Sequence, residues 1–150
     1  MGSRHEAREW AVQLLFQHDF NPGDMGVDFA TFWAERKGSD KSRQFVEELV
    51  QGVLANQARI DAMITKCAQN WALARMAGVD RNIIRLAVYE MLCRSDIPNA
   101  VSINEAVELA KTMGDAGSPR FVNGILDKLR KDLAVVSPKP KAVGAAGDTQ

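Results

Sequence analysis

Cysteine and net charge are both scarce in this chain of 150 residues, and each shortage closes off a class of function. The two cysteines, Cys67 and Cys93, form no C-x-x-C pair and sit inside apolar helical patterns, so they read as buried thiols and not as a metal or redox motif. The 19 basic residues are balanced by 19 acidic ones, so a protein that holds nucleic acid by bulk charge alone is not indicated. No apolar run reaches the roughly 20 residues that a bilayer requires, and no leader pattern opens the chain, so a soluble, cytoplasmic protein without a membrane role is expected. Alternating strand patterns do not persist anywhere, which removes the sheet-based folds. Also missing are G-x-S-x-G, the Walker loop and G-x-G-x-x-G. His5 and His18 are too far apart on one helix to share a metal. Glu105 and Glu108 share a helix face, but the Glu-x-x-His partners of helical di-iron sites are absent, so they read as a capping residue and a solvated charge. What remains is a binding module without catalytic residues, cofactor or metal.

The stretch Val79–Cys93, VDRNIIRLAVYEMLC, organises the rest. Ile83, Ile84, Leu86, Ala87, Val88, Met91 and Leu92 do not fit on one stripe, and a helix apolar all round is a core helix. Asp80 falls in its first turn, where a carboxylate suits the positive end of the helix dipole. Ahead of it, Ala7, Trp10, Ala11, Leu14 and Leu15 form a helical stripe that runs to about Phe20. Phe16 falls on roughly the opposite face with Val12 beside it, so it is either covered by another helix of the chain or offered to a partner. Arg4 and Arg8 lie one turn apart at the stripe's edge and read as a solvated helix end.

Asn21–Asp24 is a loop, and Phe29, Phe32 and Trp33 give a short helix that ends near Lys37-Gly38. Ser39 or Asp40 caps the next helix, with Phe45, Val46, Leu49, Val50, Val53 and Leu54 inward. Asn56 is a candidate break before a stripe of Ile60, Met63, Ile64, Cys67 and Trp71. After the turn Ile97-Pro98-Asn99, Ser102-Ile103-Asn104-Glu105 has the form of a capping box, and Gly114 is the stop. Ser118-Pro119 supplies a cap and a first-turn proline for the last helix, with Gly124 allowing close helix approach. Phe121 lies at that stripe's margin beside Arg120. Ser137–Gln150 lacks apolar periodicity and reads as a flexible tail. The expectation is an all-α domain of about seven helices over residues 1–136.

AREWAVQLLFQ (Ala7–Gln17), VDRNIIRLAVYE with IPNAVSINEAVELAK (Val79–Lys111), and FVNGILDKL (Phe121–Leu129) together resemble the NusB family of bacterial transcription antitermination factors. Their order and spacing over Arg4–Leu133 make the match specific. The resemblance implies two three-helix-like subdomains, roughly 4–56 and 57–134, packed side by side. It implies binding to a boxA-type RNA element in nascent, chiefly ribosomal, transcripts together with the small ribosomal-subunit protein NusE, and recruitment into a termination-resistant elongation complex. Carried over by position, Arg4, His5 and Arg8 match an arginine-rich RNA arm, and Arg120 and Phe121 a second RNA-side patch at a helix N-terminus. Phe16 and Asp80 match positions that face NusE. The chain departs from the family where it reads Arg-His-Glu, since Glu6 opposes phosphates. Weak RNA affinity of the isolated protein is therefore expected, with Lys139 and Lys141 of the tail as further contacts.

Two rivals accompany this reading. One is a structural helical module whose Phe16 serves a homodimer. The other is the RNA-binding appendage of a ribosomal RNA cytosine methyltransferase, which uses a similar domain; free-standing methyltransferase activity is not expected of this chain. For Phe121, hydrophobic capping of its own helix competes with stacking on a base.

Overall fold

Among the described residues the chain forms seven α-helices and one short 3₁₀ turn, Leu73–Arg75, with no strand. The structure is a computed structural model that describes residues 3–68 and 72–136, the last three by backbone alone. Trp71 and the tail from Ser137, with Lys139 and Lys141, lie outside the described residues.

Side-chain caps set the first three helix starts. Ser3 accepts a hydrogen bond from the Glu6 amide at 3.1 Å and opens α1, Arg4–Phe20. Asp24 does the same for Val27 at the start of α2, Met25–Ala34. Ser39, not Asp40, caps α3, Asp40–Ala55, through the Ser42 amide. Asn56 then leaves the helical region (φ −113°, ψ 13°) and folds its side-chain amide back onto the Gly52 carbonyl at 2.8 Å. That single residue separates α3 from α4, Gln57–Cys67.

The expected central helix is α5, Gly78–Cys93, and it packs against α1, α3, α4, α6 (Asn99–Met113) and α7 (Ser118–Val136). Every residue from Asn82 to Met91 is buried. Neighbours on all sides explain why no polar stripe is written into it. The buried apolar residues form one cluster to which all seven helices contribute.

Several local expectations are corrected. Val12 is fully buried, because α1 packs on both α3 and α5 and its covered arc is wider than one stripe. Helix α2 ends at Ala34, three residues before Lys37. The capping box is not a cap: α6 starts at Asn99 behind Pro98, whose extended backbone (φ −62°, ψ 144°) serves as the N-cap. Ser102 is already inside the helix, and its hydroxyl donates to Glu90 Oε1 at 2.7 Å. Ser118 likewise turns back, accepting from the Asp115 amide at 3.0 Å, while the Phe121 amide bonds the Gly117 carbonyl at 3.1 Å. Cys93 is exposed and Cys67 is half-buried, its thiol held up in pKa by burial first and by the charge of Asp132 second. Gly124 faces open space, with nothing within 4 Å of a Cβ built there, so it serves no close helix approach.

Candidate functional site

The expected site residues fall into three places: the two ends of α1 and the first turn of α7. At the N-terminal end of α1, Arg4 is partly exposed, with its guanidinium 4.4 Å from the centre of the Phe45 ring and 3.9 Å from Asp96. Arg94 lies over the same ring at 5.4 Å and grips Asp96 with two bonds of 2.9 Å. That hydrogen bonding from Arg94 outweighs burial and, with the charges of Arg94 and Arg4, holds the Asp96 carboxyl below its ordinary range. Arg8 is the third guanidinium over this ring, at 5.7 Å, so Phe45 is a platform shared by three arginines.

His5 stands beside them, its Nδ1 2.6 Å from Glu105 Oε1 on α6. Because a carboxylate only accepts, Nδ1 is the donor. Arg8 corrects the picture of a solvated helix end. It is 3% exposed, and it forks onto Glu90 of α5 through Nε at 2.8 Å and Nη2 at 3.2 Å. Its Nη1 lies 3.7 Å from Glu105. A guanidinium so enclosed can hold up the residues above it but does not itself reach a phosphate. Burying it requires a paired carboxylate, which Glu90 supplies.

On the first turn of α7, Arg120 is exposed and Phe121 is half-buried, its ring packed against the core cluster. The structure therefore gives Phe121 a packing contact and a free edge together. The positive end of the α7 dipole lies beside Arg120.

At the other end of α1, Phe16 is 41% exposed and Phe20, one turn on, is 84% exposed. The Phe16 ring lies directly on the backbone of Gly78, where a Cβ would come within 2.6 Å of its Cε1. Asp80, two residues further, is 8% exposed, and its Oδ1 has no hydrogen-bond partner among the described residues. Its carboxylate sits in the first turn of α5, at the positive end of that helix's dipole.

This end is braced by Asp19, which accepts from Arg81 Nε at 2.9 Å and from Asn82 at 3.2 Å and lies 3.2 Å from Arg85. Burial raises the Asp19 pKa, but those hydrogen bonds and the charges of Arg85 and Arg81 outweigh it and leave it below its ordinary value. Arg81 also donates to the carbonyls of Leu73 and Met76 and so fixes the 3₁₀ turn that leads into α5. Arg85 in turn forks onto Asp61 of α4 at 2.8 and 3.0 Å.

Sequence reasoning missed Gly78, Asp19, Glu90 and the tertiary role of Glu105. The available signal was Arg85 and Glu90 inside an all-apolar helix, since charges there must have partners elsewhere in the chain. The described residues bring together no group of His, Cys, Asp or Glu able to hold a metal ion. No described helix is long and apolar enough to cross a membrane.

Comparison with known proteins adds an independent line. A family model described as the NusB family matches residues 5–131. Transcription antitermination protein NusB of Trichlorobacter lovleyi is 48% identical over 129 residues, 86% of this chain and 91% of that protein. Its counterpart from Geobacter sulfurreducens is 44% identical over 134 residues, 89% of this chain and 97% of that protein. Among solved structures, T. maritima NusB superposes with a TM-score of 0.79 at 34% identity, covering 93% of this chain and 94% of that one. A crystal structure of the antitermination factors NusB and NusE in complex with dsRNA contains a chain similar to this one at a TM-score of 0.77 and 27% identity, with 86% and 96% covered.

Proposed function

Because the chain belongs to the NusB family, we propose that it is a transcription antitermination factor that binds boxA-type RNA together with NusE. The observation that carries this reading is the near end-to-end match to antitermination proteins, over nine-tenths or more of their length. The mechanism is recruitment. Protein, NusE and nascent ribosomal RNA together help assemble an elongation complex that resists termination. The role is one of binding in the cytoplasm, with no catalytic step and no cofactor.

Within that role, Arg4 and His5 contact phosphates, and Arg8 supports them from below. Arg120 and Phe121 form a second RNA contact, the arginine on the backbone and the ring edge against a base. Phe16 and Asp80 belong to the NusE face, with the apolar surface of Phe20 continuing it. The break at Asn56 supports units of roughly 4–56 and 57–134, with α5 as their shared wall.

The test is a titration of labelled boxA-type RNA against the protein, alone and with NusE, beside a NusE titration of Phe16→Asp. NusE is expected to tighten RNA binding. Phe16→Asp is expected to abolish NusE binding, because a charge replaces an apolar anchor and must be desolvated. Its melting transition should not move, since the ring is already exposed. Retained NusE binding in Phe16→Asp would remove Phe16 from the interface. Self-association that NusE does not displace would favour the homodimer.

A further inference from the structure

A carboxylate beside an RNA-binding arm is normally a liability, since it repels phosphates. Glu6 fits that description: it lies on α1 between His5 and Ala7, and its side chain forms no hydrogen bond or ion pair among the described residues. Glu105 does not. Its Oε1 is 2.6 Å from His5 Nδ1 and 3.7 Å from Arg8 Nη1, so one oxygen of α6 ties down two residues of α1.

The anchorage behind that oxygen runs deep. Arg8 is forked onto Glu90, and Glu90 also accepts from the Ser102 hydroxyl at 2.7 Å. The side chains of Arg8 and Glu90 are only 4% and 1% exposed, so this part of the chain cannot rearrange without opening the core. Ser102 and Glu105 are three residues apart on α6 and therefore on one face. That face meets α5 through Ser102 and α1 through Glu105. The first turn of α1 is held besides by the Ser3 cap and by Arg4, which rests on Phe45 and lies near Asp96.

We infer that Glu105 is a positioning residue for RNA: it fixes the His5 ring and the first turn of α1 in the orientation that meets the phosphates, and so strengthens binding in spite of its charge. This rests on the reading of Arg4 and His5 as RNA contacts. Charge and positioning make opposite predictions here. By Coulomb repulsion alone, removing Glu105 tightens RNA binding; by positioning, it weakens it. The carboxylate is a quarter exposed, which screens the repulsive part.

The experiment measures the affinity of the full chain for a labelled single-stranded RNA carrying a boxA-type element, at fixed salt. The variants are Glu105→Ala, Glu105→Gln, Glu6→Ala and Arg4→Ala, with NusE binding recorded for each. Glu105→Ala is expected to weaken RNA binding about tenfold with NusE binding unchanged. Glu105→Gln should restore it to within about threefold, because the amide oxygen still accepts from His5. Glu6→Ala should tighten it by about twofold. RNA affinity of Glu105→Ala at or above that of the wild type overturns the proposal. So does a Glu105→Gln no better than the alanine variant, or a parallel loss of NusE binding, which would mark a merely structural residue. Wild-type affinity in Arg4→Ala would bring down the arm reading, and the proposal with it. A weak Arg4→Ala beside a strong Glu105→Ala would remove the positioning role alone.

Discussion

Both ends of α1 are stapled to α5 by an arginine and a carboxylate, but with the charges exchanged. Near its start, α1 supplies the cation, Arg8, and α5 the anion, Glu90. Near its end, α1 supplies the anion, Asp19, and α5 the cations, Arg81 and Arg85. The contacts run 8 to 90 and 19 to 81, so the helices are antiparallel, and only that orientation pairs opposite charges at both ends. Turning α1 around would set Arg8 against Arg81 and Asp19 against Glu90. Charged pairs of this kind select one arrangement more surely than they stabilise it. The two staples also differ in wetness. The side chains of Arg8 and Glu90 are 4% and 1% exposed, whereas those of Arg81 and Asp19 are 18% and 22% exposed. The dry staple underlies the RNA-facing arm of the proposal, and the wet one braces the NusE-facing end.

The largest effect should come from breaking the dry staple. Arg8→Ala takes the forked guanidinium from buried Glu90 and leaves the Ser102 hydroxyl on it, and breaking a buried ion pair by removing one partner costs about 3–5 kcal/mol. Arg81→Ala leaves Asp19 within reach of water and still bonded to Asn82 and near Arg85, so about 1–2 kcal/mol is expected. Chemical denaturation of both variants checks the ratio. The double variant Arg8→Met with Glu90→Met should recover most of the loss, because apolar groups of similar volume often replace a buried pair without penalty. Equal losses from Arg8→Ala and Arg81→Ala would show that water access is not what separates the two ends.

What could be read from the chain, and what could not, follows the same division between local and distant causes. The central helix was legible because being buried on every side leaves no polar stripe, and composition alone records that. Helical geometry turned Phe16 away from the Ala7–Leu15 stripe but left open whether another helix covers it; the ring is 41% exposed and rests on Gly78. Val12, four residues earlier and on the same side, was misread because α1 meets two helices, and the extent of a covered arc is a tertiary property. The S-x-x-E motif at Ser102 was misread because the same two side chains can satisfy their own helix start or reach other helices; Pro98 had already started the helix, which freed them. Arg8 and Glu90 are 82 positions apart, and no local pattern links them. Nothing in the structure explains Gly124.

A smaller effect, confined to function, is expected at the wet end. Gly78 leaves room for the Phe16 ring, and a methyl group there would come within 2.6 Å of it. The ring is exposed enough to swing away, so Gly78→Ala should leave the denaturation midpoint nearly unchanged while moving the proposed anchor off its seat. NusE affinity should fall about tenfold, equivalent to about 1.4 kcal/mol. RNA binding by the isolated protein should stay the same, because the arm is at the other end of α1. A Gly78→Ala variant that binds NusE normally would detach the Phe16 seat from the partner surface.

The smallest expected effect is on the acid side of the stability profile, and it separates the ends by titration. The Asp19 carboxyl is held below its ordinary value in the folded chain, burial opposing and the bonds from Arg81 and Asn82 with the charges of Arg85 and Arg81 prevailing. A depressed folded pKa means that the folded state binds the proton less readily than the unfolded state. The contribution to stability is therefore complete above about pH 4 and is lost as the pH falls through the folded value. Asp96, gripped by Arg94 at the arm end, shifts in the same direction and adds to the same limb. Arg81→Gln removes the strongest of the influences that lower Asp19, so burial regains weight and the folded and unfolded values move together. Its stability should then fall less steeply than that of the wild type between about pH 5 and pH 2. The residual slope belongs to carboxylates such as Asp96, and Arg94→Gln should flatten that part separately. Denaturation midpoints taken across this range for the three proteins make the comparison. An unchanged slope in Arg81→Gln would mean that Asn82 and Arg85 suffice to hold Asp19 charged, and that Arg81 serves chiefly to fix the Leu73 and Met76 carbonyls.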